Sequence, residues 1–181
     1  MLSKKVLIIS TSMRKGGNSD ILADEFMKGA EESGNQVEKI SLINKQIGFC
    51  KGCLDCQKTQ KCIIKDDAVE IAEKVKNTDI VVFATPIYYY EMSGQMKTLL
   101  DRLNPLFPSD YSFREVYMIA AAADNNQEAM DIAVKGLQGW ISCFNKVKLS
   151  GVIRGAGVTD IGDIQHNEKL LREAYEMGKE I

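Results

Sequence analysis

Histidine is nearly missing: His166 is the single one in 181 residues, which excludes any mechanism built on a histidine base oriented by a second histidine. An excess of charge of either sign is missing too. Lys and Arg number 23 against 25 Asp and Glu, a net charge of −2, so no basic field gathers nucleic acid or anionic lipid, and neither is an expected partner. Long hydrophobic runs are absent. The longest, residues 80–84 and 117–123, fall far short of the roughly 20 residues of a membrane-spanning helix, and a soluble protein is expected. The apolar run at residues 6–9 behind Lys4 and Lys5 is too brief for a secretory signal, so the expected location is the cytoplasm. Proline is scarce, at 3, and no repeat, low-complexity tract or linker breaks the chain, whose length suits one domain over residues 1–181.

What is present alternates. Short β-branched runs at residues 4–10, 36–42, 79–84, 116–122 and 148–153 predict five strands. Between and after them, apolar residues recur at helical spacing. Leu22, Phe26 and Ala30 mark a first helix capped near Asn18, Ser19 and Asp20. Val69, Ala72 and Val75 follow Asp66 and Asp67, and Met92, Met96, Leu99 and Leu103 run up to Pro105. Met130, Val134, Leu137, Ile141 and Phe144 mark a fourth helix, and Leu170, Ala174 and Met177 a last one. Pro86 is expected to close the third strand. Strands buried on both faces and joined by helices are parallel, which predicts a doubly wound α/β sheet of order 2-1-3-4-5 with helices on both faces. Such a sheet takes its ligand beyond the carboxyl ends of its strands, beside the first.

The loop after the first strand, residues 10–19 (STSMRKGGNS), combines hydroxyls, an Asn, paired glycines and a helix N-terminus, the materials of an anion cradle; a capped flexible turn is the plainer alternative. It lacks the Gly-Lys-Ser/Thr of a triphosphate loop and the G-x-G-x-x-G of a dinucleotide turn, and Gly155-Ala156-Gly157 lacks the third glycine as well. A cradle of this kind suits one phosphomonoester. It holds no cysteine nucleophile for a phosphatase and no acidic pair for a phospho-receiver. After the third strand, Thr85 and Pro86 lead into Ile87 and three consecutive tyrosines, Tyr88 to Tyr90, a wall for a flat ring or else a core or subunit contact. Asp124 lies in the small-then-polar loop after the fourth strand.

Four segments carry a family resemblance. S-x-S-x-R-x-x-G-N-S at residues 10–19, T-P-x-Y at 85–88 and Q-M-K-x-L-x-D-R at 95–102, with G-V-x-x-x-G-D-I at 157–164, resemble the flavodoxin-like NADPH-dependent FMN reductase family across nearly the whole chain. The family pattern often has Pro where this chain has Met13, which loosens the turn. The resemblance implies that Ser10, Ser12, Arg14, Asn18 and Ser19 hold the FMN phosphate. It implies that Pro86, Ile87, Tyr88 and Tyr89 line the isoalloxazine, with Asp124 nearby. It further implies a flavin that takes a hydride from NAD(P)H and passes electrons to a quinone, flavin or similar small acceptor, with no catalytic side chain required. The rival functions are a one-electron carrier and a non-catalytic FMN-binding module.

Four of the five cysteines, Cys50, Cys53, Cys56 and Cys62, crowd into a loop at about residues 48–65, while Cys143 stands apart. In a reducing compartment such crowding reads as metal or redox chemistry before disulfides. The C-x2-C-x2-C-x5-C spacing favours a [4Fe–4S] cluster over zinc, and resembles the iron–sulfur flavoproteins; thiols without a metal are the third alternative. With a cluster, a ferredoxin-type protein becomes an expected partner. A homodimer or tetramer is expected, with Met92, Met96 and the Tyr88 to Tyr90 run as its exposed apolar surface. Lys97, Asp101 and Arg102 are expected to be structural or interfacial, His166 to cap the last helix or face solvent, and Trp140 and Cys143 to pack in the core.

Overall fold

Every β-branched run becomes a strand of one sheet. In the computed structural model, which describes residues 3–181, the strands are β1 (Lys5–Ser10), β2 (Gln36–Ser41), β3 (Ile80–Tyr88), β4 (Glu91–Met92), β5 (Glu115–Ala121) and β6 (Lys148–Gly155). The expected start of the chain at Met1 and Leu2 lies outside the described residues. The sheet order is β2-β1-β3-β5-β6, all parallel, with β4 pairing antiparallel to β3. Setting aside the two-residue β4, the five parallel strands stand in the expected doubly wound, flavodoxin-like order.

Alternation along these strands makes two cores. Leu7, Ile9, Val81, Phe83 and Met118 face one way, against α3 (Asp67–Lys76), α4 (Gly94–Arg102) and α5 (Asp131–Ile141). Val6, Ile8, Ile80, Val82 and Ile119 face the other way, against α1 (Asn18–Glu32) and α6 (Glu168–Lys179). Two glycines let α1 and α6 approach. A Cβ on Gly29 would strike the Tyr175 carbonyl oxygen, and one on Gly178 the Phe26 carbonyl oxygen.

Several local expectations change. Pro86 does not end β3: Thr85 and Pro86 still stand in register with Ala120 and Ala121, and the strand runs on into a hairpin, Ile87 against Met92 and Tyr88 against Glu91. A proline tolerates this position because it lies at the end of the parallel ladder. The cap of α1 is Gly17, which has no side chain to bond the first turn, and the Asn18 side chain is engaged elsewhere. α3 turns Ala68, Ile71, Ala72 and Val75 inward and leaves Val69 half-buried. The cysteine segment, expected to be irregular, contains a short helix, α2 (Asp55–Thr59), flanked by Leu54 and Gln60 in left-handed conformation. Met92 and Met96 are buried, 5% and 0% exposed, and belong to the core rather than to an open apolar surface. Trp140 is partly buried and packs on Phe83, Phe113 and Phe144. Cys143, expected in the core, is exposed just past the end of α5. His166 is exposed, and Asn167 caps α6 instead.

Candidate functional site

A cleft of about 180 Å³ opens over the carboxyl ends of β1, β3 and β5. Ser12, Arg14, Gly17, Asn18 and Ser19 form one wall, Pro86, Ile87 and Tyr88 the opposite one, and Val158, Thr159 and Ile161 close the third side. Among the described residues no carboxylate lines it and Arg14 is its one charged side chain, so its field suits an anion. The N–H groups of Asn18 and Ser19, in the first turn of α1, have no intrahelical acceptor and add to that field.

The cradle is built from its own backbone. The Arg14 N–H donates to Ser12 Oγ at 3.2 Å and the Gly17 N–H to the Arg14 carbonyl at 3.0 Å. Gly16 has φ +68°, and a Cβ on Gly17 would lie 2.6 Å from Ser12 Oγ, so this turn requires both glycines. Arg14 and Asn18 also reach the loop after β6. Arg14 Nη1 donates to the Thr159 carbonyl (3.0 Å), Asn18 Nδ2 donates to the Asp160 carbonyl (2.9 Å), and Asn18 Oδ1 accepts from the Ile164 N–H (3.1 Å). Asp163 braces that loop from within. Its carboxylate accepts the N–H groups of Thr159 and Asp160, and these two bonds hold its pKa below the usual carboxylate range. The 157–164 motif marked this segment in the sequence, but nothing in its spacing said that Val158, Thr159 and Ile161 wall the cleft.

Three of the expected contacts stand apart from the cleft lining. Ser10 is fully buried on β1 and its hydroxyl has no partner among the described residues. Tyr89 points wholly into solvent. Asp124 uses its carboxylate on the Asn126 N–H and its carbonyl on the Gly157 N–H. Tyr89 and Tyr90 form the two-residue turn of the β3–β4 hairpin with φ +50° and +66°, a left-handed pair that normally calls for Asn and Gly. Bulky aromatics held there mark a strained site.

Beneath both walls lies a buried hydroxyl network. Thr11 Oγ1 is 3.1 Å from Ser93 Oγ, Thr85 Oγ1 is 3.2 Å from it, and the Ser93 hydroxyl caps α4 by accepting the Met96 N–H. It joins the end of β1, the end of β3 and the start of the next helix.

At the other end of α4 sits the cysteine segment. Cys50, Cys53, Cys56 and Cys62 all line one small pocket of about 20 Å³, together with Asp101, Arg102 and Asn104. Cys56 is buried, which pushes its thiol pKa up, while Asn104 Nδ2 donates to its sulfur at 3.3 Å and opposes that shift. Among the described residues no three His, Cys, Asp or Glu side chains stand in the geometry of a metal-ion site. Four thiols with a side-chain donor to one sulfur are the residue type that ligates iron–sulfur cofactors, but the sulfurs are not gathered in ligand geometry here. Of the residues on α4, Lys97 and Asp101 form an exposed ion pair at 2.6 Å, whereas Arg102 is fully buried.

Comparison with known proteins agrees with this geometry. Residues 4–148 match the family described as NADPH-dependent FMN reductase. An iron–sulfur flavoprotein of Archaeoglobus fulgidus is 39% identical over 101 residues, covering 56% of this chain and 46% of that protein, so the chain spans about half the length of that relative. A putative NAD(P)H-dependent FMN-containing oxidoreductase of Bacillus subtilis, YwqN, is 28% identical over 97% of both chains. Among solved structures, an NAD(P)H:quinone oxidoreductase from Methanothermobacter marburgensis superposes with a TM-score of 0.76 at 16% identity, covering 98% of this chain and 96% of that one. Matched over residues 4–148, most of its length, this chain belongs to the NADPH-dependent FMN reductase family.

Proposed function

We propose that the protein is a cytoplasmic FMN-dependent NAD(P)H oxidoreductase that passes a hydride from NAD(P)H to FMN and electrons onward to a quinone, flavin or similar small acceptor. The observation that carries this is the cleft itself, an anion cradle without a carboxylate facing an aromatic and aliphatic wall. FMN, when bound, supplies a ring that takes up a hydride and releases electrons singly or in pairs. The chain's residues bind and orient: Ser12, Arg14, Asn18, Ser19 and the free N–H groups of α1 receive the phosphate, and Arg14 and Asn18 also fix the 159–164 wall. Pro86, Ile87 and Tyr88 bound the ring. Anaerobic titration with NADH and NADPH, followed by steady-state oxidation with a small quinone, tests the reading; flavin that binds yet is reduced by neither nucleotide would make the protein a carrier or a binding module.

The second reading, an iron–sulfur flavoprotein, is favoured by one specific observation, that all four clustered cysteines line a single pocket. In it Cys50, Cys53, Cys56 and Cys62 hold a [4Fe–4S] cluster, and electrons leave singly toward a ferredoxin-type partner. Iron and acid-labile sulfide after anaerobic reconstitution, beside Cys53→Ser, decide it. Stoichiometry near zero in the unaltered protein leaves a plain FMN reductase.

A further inference from the structure

The largest fully buried side chain among the described residues is a charged one. Arg102 has no exposed side-chain surface, and a guanidinium so placed is costly unless every donor is answered. Its answers all come from one segment. Asp66 takes it bidentately, at 2.6 Å to Nη1 and 2.8 Å to Nη2; the Gly48 carbonyl accepts from Nη1 at 2.7 Å and the Ile64 carbonyl from Nη2 at 3.1 Å. Gly48 lies two residues before the first clustered cysteine, and Ile64 two residues after the last. Asp66 completes the closure by accepting the Gly48 N–H at 2.8 Å.

We propose that Arg102 is a positioning residue that clasps both ends of the cysteine segment and keeps a fixed positive charge beside its sulfurs. The proposal rests on the reading of that segment as a cofactor site. One general argument and one observation separate it from plain structural support. Well-packed apolar side chains replace buried ion pairs with little or no loss of stability, so packing α4 does not by itself call for a guanidinium. Arg102 also keeps its Nε–H buried with no acceptor among the described residues, while its side chain shares the wall of the pocket with Cys62. Cys62, Arg102 and Pro105 also line a second, larger groove of about 850 Å³ along α3, so the guanidinium and one of the four thiols lie between the two openings. α4 then links two sites. Its nine residues, roughly 13 Å of helix, run from the Ser93 cap under the flavin cleft to Arg102 under the cysteines.

The test compares Arg102→Gln and Arg102→Lys with the unaltered protein. In protein without iron, amide hydrogen exchange over residues 48–64 should quicken at least tenfold in Arg102→Gln, and Lys should restore part of the protection. In protein loaded with iron and sulfide, loss of the positive charge should disfavour reduction of the cluster at least tenfold, about 59 mV for a one-electron couple, and Lys should restore most of it. If Arg102→Gln fails to fold, Arg102→Gln with Asp66→Asn removes the stranded carboxylate and replaces it in both measurements. Unchanged exchange in a variant that still binds FMN overturns the clasp, and an unchanged potential overturns the charge. Should the unaltered protein take up no iron and sulfide, the cluster reading fails with the charge half of the proposal, and exchange still decides the clasp.

Discussion

The hydroxyls of Thr11 and Ser93 meet at 3.1 Å, buried, 82 residues apart in sequence, and so tie the end of β1 to the cap of α4. Ser93 also takes the Met96 N–H and gives its own N–H to Thr85 Oγ1 at 3.1 Å, so one serine fixes the cradle strand, the hairpin strand and the helix between the two candidate sites.

Ser93→Ala is therefore expected to cost more than a lost cap. A cap alone is worth about 1 kcal/mol, and losing the hydroxyl contacts to Thr11 and Thr85, which keep the Ala84 and Pro86 carbonyls as acceptors, adds about 1 kcal/mol more. Urea denaturation should show about 2 kcal/mol of destabilisation, with weaker FMN binding as the hairpin wall shifts. A loss below the cap value would show that the network is not coupled.

Arg14→Ala combined with Asn18→Ala is expected to weaken FMN at least tenfold, since each charge-assisted contact is worth roughly 1.5–3 kcal/mol. In the structure both side chains hold the 159–164 wall as well, so that wall should gain protease sensitivity in the variant. Flavin fluorescence titration measures the first effect and limited proteolysis the second. Full affinity in the double variant would mean that the cradle is elsewhere.

Tyr89→Asn is expected to stabilise the fold by about 1 kcal/mol, because Asn suits the left-handed turn position that Tyr89 occupies at φ +50°. Tyr89 is fully exposed, so no core contact is lost. If the tyrosine is kept for a partner or ligand, NAD(P)H oxidation or self-association should fall while stability rises. Light scattering at micromolar concentration reports the second, a dimer or tetramer being expected from the exposed Tyr88 to Tyr90 run.

Asp66 links stability to pH. Burial pushes its carboxyl up, but the Arg102 guanidinium and the N–H groups of Gly48 and Ala68 outweigh that and hold it below the usual range. A carboxyl with a lowered folded-state pKa contributes stability that is fully present above its unfolded value, near 3.9, and disappears as pH falls through the folded value. Asp66→Asn should thus cost about 3 kcal/mol at pH 7, as for one partner removed from a buried pair, and the gap to the unaltered protein should close only below about pH 4. Denaturation midpoints from pH 7 to pH 3 measure it; a pH-independent gap would place the effect outside the carboxylate.

The sequence by itself determined the sheet, its strand order and the position of the cleft. Runs such as DIVVFA are apolar on both faces and must be covered by helices on both sides, and that constraint fixes a doubly wound topology whose ligand end is known. It also determined the start of α3, because Asp66 caps it through a bond to its own near neighbour Ala68. Local periodicity could not tell Met92 and Met96 from a surface pair, since helical spacing is the same for a core face and a subunit face. Nor could it tell an exposed Lys97–Asp101 pair from the buried Arg102 beside it. Only the tertiary structure decided that Arg102 meets Asp66 across 36 residues and that Asn18 meets Ile164 across 146. Such pairings depend on which helix end and which loop the packed sheet brings together, and a one-dimensional pattern carries the spacing of residues along an element but not the neighbour that buries each of them.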